Sequence, residues 1–202
     1  MFEQLNLALF SALNAQAGLS GWQLLGARAA AEWLILLVPL SLTALWIGGA
    51  AGQREAAVRA AFATVAALAI NAVIGVMWFH PRPFMAGVGH TFMHHAPDSS
   101  FPSDHATIMF TVALALMASA APNARSLGRL MMPVALVVAW SRVFLGVHYP
   151  MDMVGALGVS VVVVALFNTR PATAACAAVV PAMEGVYRRV LAMPIARGWL
   201  RP

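Results

Sequence analysis

The sequence predicts an all-α fold: a polytopic membrane helix bundle of about five transmembrane helices plus a short amphipathic N-terminal helix, forming one integral membrane domain over 1–202. Two observations carry this expectation. The chain is 61% hydrophobic and only 9% charged, whereas about a quarter of the residues of a soluble domain are charged, so lipid is the expected solvent. Its apolar residues also gather into runs near the roughly 20 residues that cross a bilayer as a helix.

The elements follow in order. Residues 2–14 are too short to span, but Phe2, Leu5, Leu9 and Leu13 fall near one face, with Glu3, Gln4, Ser11 and Asn14 elsewhere. That pattern predicts a helix lying in the membrane interface. Apolar runs at 30–50, 57–79, 105–122, 129–148 and 151–169 read as spans, the third and fifth at the short end of the range. Residues 172–183 form a further short apolar run between Pro171 and Pro181, and 170–202 reads as a basic tail. Trp33, Trp46, Trp78 and Trp140 read as interface anchors or packing residues. Cys176 is the single cysteine, which rules out an intrachain disulfide.

Five spans alternate the loops between two sides. One side receives 51–56, 123–128 and 170–202, with Arg54, Arg125, Arg170, Arg188, Arg189, Arg197 and Arg201; Arg59 and Arg129 adjoin it. The net charge of +5 comes entirely from arginine. Its position at the ends of apolar runs fits membrane topology rather than nucleic-acid binding, and the positive-inside rule makes this side cytoplasmic. All six histidines, together with Asp98, Asp104 and Asp152, fall on the other side. Polar groups gathered at one membrane face are costly without partners or a task.

Three segments there carry chemistry: His80–Phe84, Phe101–Thr107 and Ser141–Asp152. Arg82 and Arg142 can grip phosphate oxygens in a bidentate way. Ser103 adds a hydroxyl, and Ser141 is grouped with these phosphate-binding residues. The third and fifth spans would aim their helix N-termini at an anion. His148 is a candidate nucleophile for phosphorus. Asp152, four residues later, can reach back to orient it if a helix starts near Pro150. His105 is the candidate acid and base. Asp152 is expected to favour the imidazolium form of His148. This inventory needs neither a metal nor an organic cofactor.

These segments resemble the type 2 phosphatidic-acid phosphatase superfamily, whose pattern is K-x6-R-P, P-S-G-H and S-R-x5-H-x3-D. Here they read Arg82-Pro83, Pro102-Ser103-Asp104-His105, and Ser141-Arg142 with His148 and Asp152. There are two departures: Gly75 stands where the first-motif lysine belongs, and Asp104 replaces the second-motif glycine. Within the superfamily the sequence is similar to the bacterial undecaprenyl-pyrophosphate phosphatases of the bacitracin-resistance type. They share P-R-P-F, H-H-A-x-D-x-S-F-P-S-D-H and W-S-R-V-x-L-G-V-H-x-P. The resemblance implies hydrolysis of a lipid diphosphate through a phosphohistidine on His148. It places the enzyme in a bacterial inner membrane with its active site facing the periplasm, and makes the lipid and the bilayer its partners.

Other readings stay beside these. Arg82 and Arg142 could anchor at the interface, and His148 with Asp152 could be a structural pair. Asp104 reads as an N-cap of the third span ahead of an accessory chemical role, with Ser103 competing for that cap. His94 and His95 are possible accessory groups, and with His90 they could bind a metal if 90–95 were helical. Asp98 and Ser99 read as a turn. Rival functions are phosphatase action on phosphatidylglycerophosphate or phosphatidic acid, phosphotransfer to lipid A, and a His-rich metal transporter or sensor. The last would need polar residues through the span centres, which here are nearly all apolar.

Overall fold

The computed structural model describes residues 2–49 and 52–201. Every regular element among them is helical: α1 Phe2–Leu13, α2 Gly21–Glu32, a 3₁₀ turn Leu34–Leu36, α3 Leu37–Gly48, α4 Gln53–Met77, α5 Asp104–Met117, α6 Pro122–Phe144, α7 Pro150–Phe167, α8 Arg170–Val190 and α9 Ala192–Ala196. Proline opens α6 and α7, where its missing N–H would have no partner in any case. Gly49 closes α3 in the left-handed conformation, at φ 61°.

Helix α5 is the hub, packed against α4, α6 and α7. Ala106, Met109, Val112, Ala113 and Leu116 are fully buried in it. Small residues permit the close crossings. Ala56, Ala60, Ala63 and Ala67 form the buried stripe of α4, and Gly128 of α6 sits where a Cβ would fall 2.5 Å from the Met117 backbone nitrogen. Within this apolar interior Thr111 donates to Ser160 at 2.9 Å and Asn71 donates to Thr107 at 2.9 Å. Such bonds hold membrane helices together where water cannot compete.

Among the described residues, four helical stretches are long and apolar enough to cross a membrane: Gly21–Gly48, Gln53–Met77, Pro122–Phe144 and Pro150–Phe167. Helix α5, at 14 residues, rises only about 21 Å against a hydrocarbon core of roughly 30 Å. It nevertheless joins both ends of α4. Asp104 at its start accepts from Asn71 at 2.8 Å, and Ala121 just beyond its end faces Gly52. Enclosed by other helices, it has no need to match the bilayer itself.

Several expected boundaries move. The first span begins at Gly21 rather than near residue 30, because Arg28 and Glu32 interrupt its apolar run; Arg28 Nε donates to the Phe92 carbonyl at 2.8 Å. The third stops at Met117, since Ala121 is extended ahead of Pro122. The fourth starts at Pro122, taking in polar residues that read as loop, and ends at Phe144 before Gly146 turns at φ 77°. The short run 172–183 and the start of the tail become one helix, α8, which continues through Pro181. It is docked by an ion pair from Arg54 to Glu184 at 2.8 Å. In α1 the apolar residues Phe2, Leu5, Leu9 and Leu13 are exposed and Asn6 and Phe10 are buried.

Candidate active site

Segment 78–103 between α4 and α5 carries no regular helix, and side chains hold it in place. Asn14, at the end of α1, donates to the carbonyls of His90 and Phe144 at 2.9 and 3.1 Å and accepts the His90 N–H at 2.7 Å. The Phe92 N–H bonds the Leu145 carbonyl, and the Ser100 N–H bonds that of His80. Asn6 accepts the Met151 N–H at 3.1 Å, joining α1 to the first turn of α7. The segment is thereby laid across the ends of α6 and α7, and its charged groups face His148.

Around His148 the contacts define a proton arrangement. Arg82 Nη1 lies 2.9 Å from His148 Nε2. Guanidinium can only donate, so Nε2 must present its lone pair. The ring proton then sits on Nδ1, 3.1 Å from Asp152 Oδ2. Asp152, in the first turn of α7, is fixed by the Tyr149 N–H at 2.8 Å and by the Ser100 hydroxyl. Arg82 is fixed in turn: Nε donates to Asp98 at 2.7 Å, Nη1 to the Val147 carbonyl at 2.9 Å and Nη2 to the Ser99 carbonyl at 3.2 Å.

Burial pushes the His148 imidazole well below its ordinary pKa, and the positive charges of Arg82 and Arg142 push the same way. The expectation that Asp152 would raise the pKa of His148 is thus outweighed rather than met: its carboxylate still accepts from Nδ1, but burial and the two arginines prevail. Asp152 orients the ring, while desolvation and two cations keep it neutral.

Arg142 is buried at the end of α6 with only a 3.8 Å contact from Nη1 to the Met93 sulfur. Its Nε and Nη2, and the hydroxyl of Ser103, are buried without a hydrogen-bond partner. Orphaned donors of this kind are rare in folded proteins and call for a functional reason. His105, second in α5 and partly buried, lies within electrostatic reach of Arg82, Arg142 and His148.

Arg82, Ser103, His105, Arg142, His148 and Asp152 therefore come together. Ser141 does not join them through its hydroxyl, which donates to the Val138 carbonyl of its own helix at 2.7 Å. Asp104 is not the cap of α5: Ser103 occupies that position, without a side-chain capping bond, and Asp104 faces Asn71. His95 stands beside His148, with ring centroids 6.0 Å apart, and His94 is exposed. The helical spacing that a metal site at His90, His94 and His95 required is absent, because 90–95 is irregular. Asp98 and Ser99, read as a turn, instead hold Arg82.

The site also contains residues that sequence reasoning missed. Ser100 contacts both Asp152 and His148, and Asn71 bonds both Asp104 and Thr107. A lone serine or asparagine has no periodic signature, so only the buried polar position of Asn71 within an apolar span could have signalled a role.

The family model described as the PAP2 superfamily matches residues 56–188. An Escherichia coli K12 protein carrying the name "Putative undecaprenyl-diphosphatase YbjG" is 39% identical over 201 residues, covering 100% of both chains. The Bacillus subtilis undecaprenyl-diphosphatase BcrC is 35% identical over 136 residues, covering 67% of this chain and 68% of its own. Among solved structures, Aquifex aeolicus LpxE superposes with a TM-score of 0.65 at 20% identity, covering 80% of this chain and 93% of that one. A PAP2 type phosphatidylglycerolphosphate phosphatase from Bacillus subtilis gives 0.61 at 16% identity, with 82% and 83% covered. These two likenesses speak to the fold.

Proposed function

The chain belongs to the PAP2 superfamily, and from that premise we propose that it hydrolyses undecaprenyl diphosphate to undecaprenyl phosphate and inorganic phosphate. The site would face the periplasm from a bacterial inner membrane. The observation that carries the chemistry is one convergence. The lone pair of His148 Nε2 meets Arg82, Arg142 lies within electrostatic reach of the same ring, and Ser103 bonds the Asp152 carbonyl through its N–H, while Arg142 and the Ser103 hydroxyl keep unpartnered buried donors. The diphosphate assignment leans on the full-length match to a relative bearing that name.

In this reading the terminal phosphoryl group displaces the Arg82–Nε2 bond and takes donors from Arg82, Arg142 and Ser103. Nε2 attacks phosphorus, the bond to the bridging oxygen breaks, and its electron pair leaves with undecaprenyl phosphate. Asp152 stabilises the imidazolium through Nδ1–H. His105 protonates the leaving oxygen where needed, and later takes a proton from the water that attacks the phosphohistidine. The P–N bond then breaks, returning the lone pair to His148.

The test is turnover of purified protein on undecaprenyl diphosphate, phosphatidylglycerophosphate and phosphatidic acid presented in the same detergent. The diphosphate should give the highest kcat/KM. A phosphomonoester preferred over it would move the assignment to a general lipid phosphatase.

A further inference from the structure

A diphosphate has two phosphoryl groups, and the donors gathered at His148 account for one. The second needs its own seat. A cavity of about 370 Å³ opens beside the cluster between α4 and residues 98–104, lined by Asn71, Gly75, Asp98, Ser99, Phe101 and Asp104 among others. Its charged lining residues are two carboxylates. None of its lining residues offers an anionic phosphoryl group a positive charge.

A histidine to which the mechanism gives no role stands beside His148: His95, whose ring meets that of His148 edge-on with centroids 6.0 Å apart. Rings this close put a ligand seated at His148 within reach of His95 as well. His95 is held in place. Its Nδ1 lies 3.1 Å from the Ala96 carbonyl and 3.6 Å from Asp98 Oδ1. Both neighbours are acceptors, so the ring proton sits on Nδ1 and Nε2 is left for a ligand. Asp98 in turn grips Arg82, which couples the position of His95 to the phosphate clamp.

We propose that His95 is a specificity-determining residue that contacts the phosphoryl group departing with the lipid, favouring a diphosphate over a phosphomonoester. This rests on His148 being the nucleophile. When the P–O bond breaks, the bridging electron pair stays on the leaving phosphate. His95, as an imidazolium donating from Nε2 to a non-bridging oxygen, offsets that charge. Its proton is taken up from water as the diphosphate binds.

The charged and titratable groups around His95 are Asp98, Arg82, Arg142, His105 and His148. In the free enzyme burial, then the two arginines, lower its pKa, so it is the arriving phosphate charge that protonates it. A monoester places no second phosphoryl group at this position, so His95 has nothing to contact.

The experiment compares farnesyl diphosphate with farnesyl monophosphate on the purified full chain. His95→Gln should lose about 10- to 100-fold in kcat/KM on the diphosphate and less than about threefold on the monophosphate. His95→Arg, which restores a cation, should recover part of the diphosphate activity while Gln does not. Equal losses on both compounds, or no loss on the diphosphate, would overturn the proposal. Failure of the underlying assignment shows separately: His148→Ala would still turn over the diphosphate, whatever the His95 variants do.

Discussion

At the scale of single residues, the site works by fixing one proton. Arg82 occupies the lone pair of His148 Nε2 at 2.9 Å, and Asp152 takes the proton on Nδ1 at 3.1 Å. A cation cannot donate to a protonated nitrogen, so this geometry and the pKa depression by burial, Arg82 and Arg142 agree. The sign follows: protonation removes the nucleophile, and a lowered pKa moves that loss to more acidic pH. Titration of ¹⁵N-histidine-labelled protein, with His148 assigned by its loss in His148→Ala, should show this ring still neutral as pH falls through 6.5. Titration at or above that value would contradict the account. The residues legible in the sequence were those at motif spacing, namely Arg82, His105, Arg142, His148 and Asp152. Ser141 shares the motif, but its hydroxyl is spent on its own helix. Ser100 and Asp98 were illegible because their partners, His148, Asp152 and Arg82, lie 16 to 52 positions away.

At the scale of elements, apolar runs specified that helices would form far better than where they end. Arg28 hid the first nine residues of the Gly21–Gly48 stretch within what read as a polar segment, although its guanidinium serves the Phe92 carbonyl. Proline opens α6 at Pro122 and α7 at Pro150, and only the second start was read from the sequence; Pro181 lies inside α8 without ending it. The N-terminal helix α1 was legible as an amphipathic element from the spacing of Phe2, Leu5, Leu9 and Leu13, all of which are exposed. Its second face was not. Asn6 and Asn14 tie α1 to α7, to α6 and to the segment carrying His95. An amide that will bridge three segments looks like any other polar residue on an interfacial helix. The irregular segment 78–103, too long to be a mere connection, is therefore a positioned part of the site.

At the scale of the whole molecule, the charge asymmetry and the bundle describe one object with two unlike ends. Arg54, Glu184 and α8 meet at one end, while His80, Asp98, His105, His148 and Asp152 meet at the other. In the orientation we propose, which follows the positive-inside rule, the first end lies in the cytoplasm. The cysteine variant Gly87→Cys, at an exposed position, should be labelled in intact cells by a membrane-impermeant maleimide whose outer-membrane passage is secured. Labelling only after the inner membrane is broken would reverse the orientation. The bundle brings its helix ends around His148, and in the proposed mechanism this ring bonds to phosphorus. The most direct measurement is rapid quenching during turnover of diphosphate labelled in its terminal phosphate, followed by recovery of the protein and mapping of the label. The account predicts an acid-labile, base-stable phosphoryl group on His148 that is lost in His148→Ala. An acid-stable adduct, or label surviving in that variant, would contradict it.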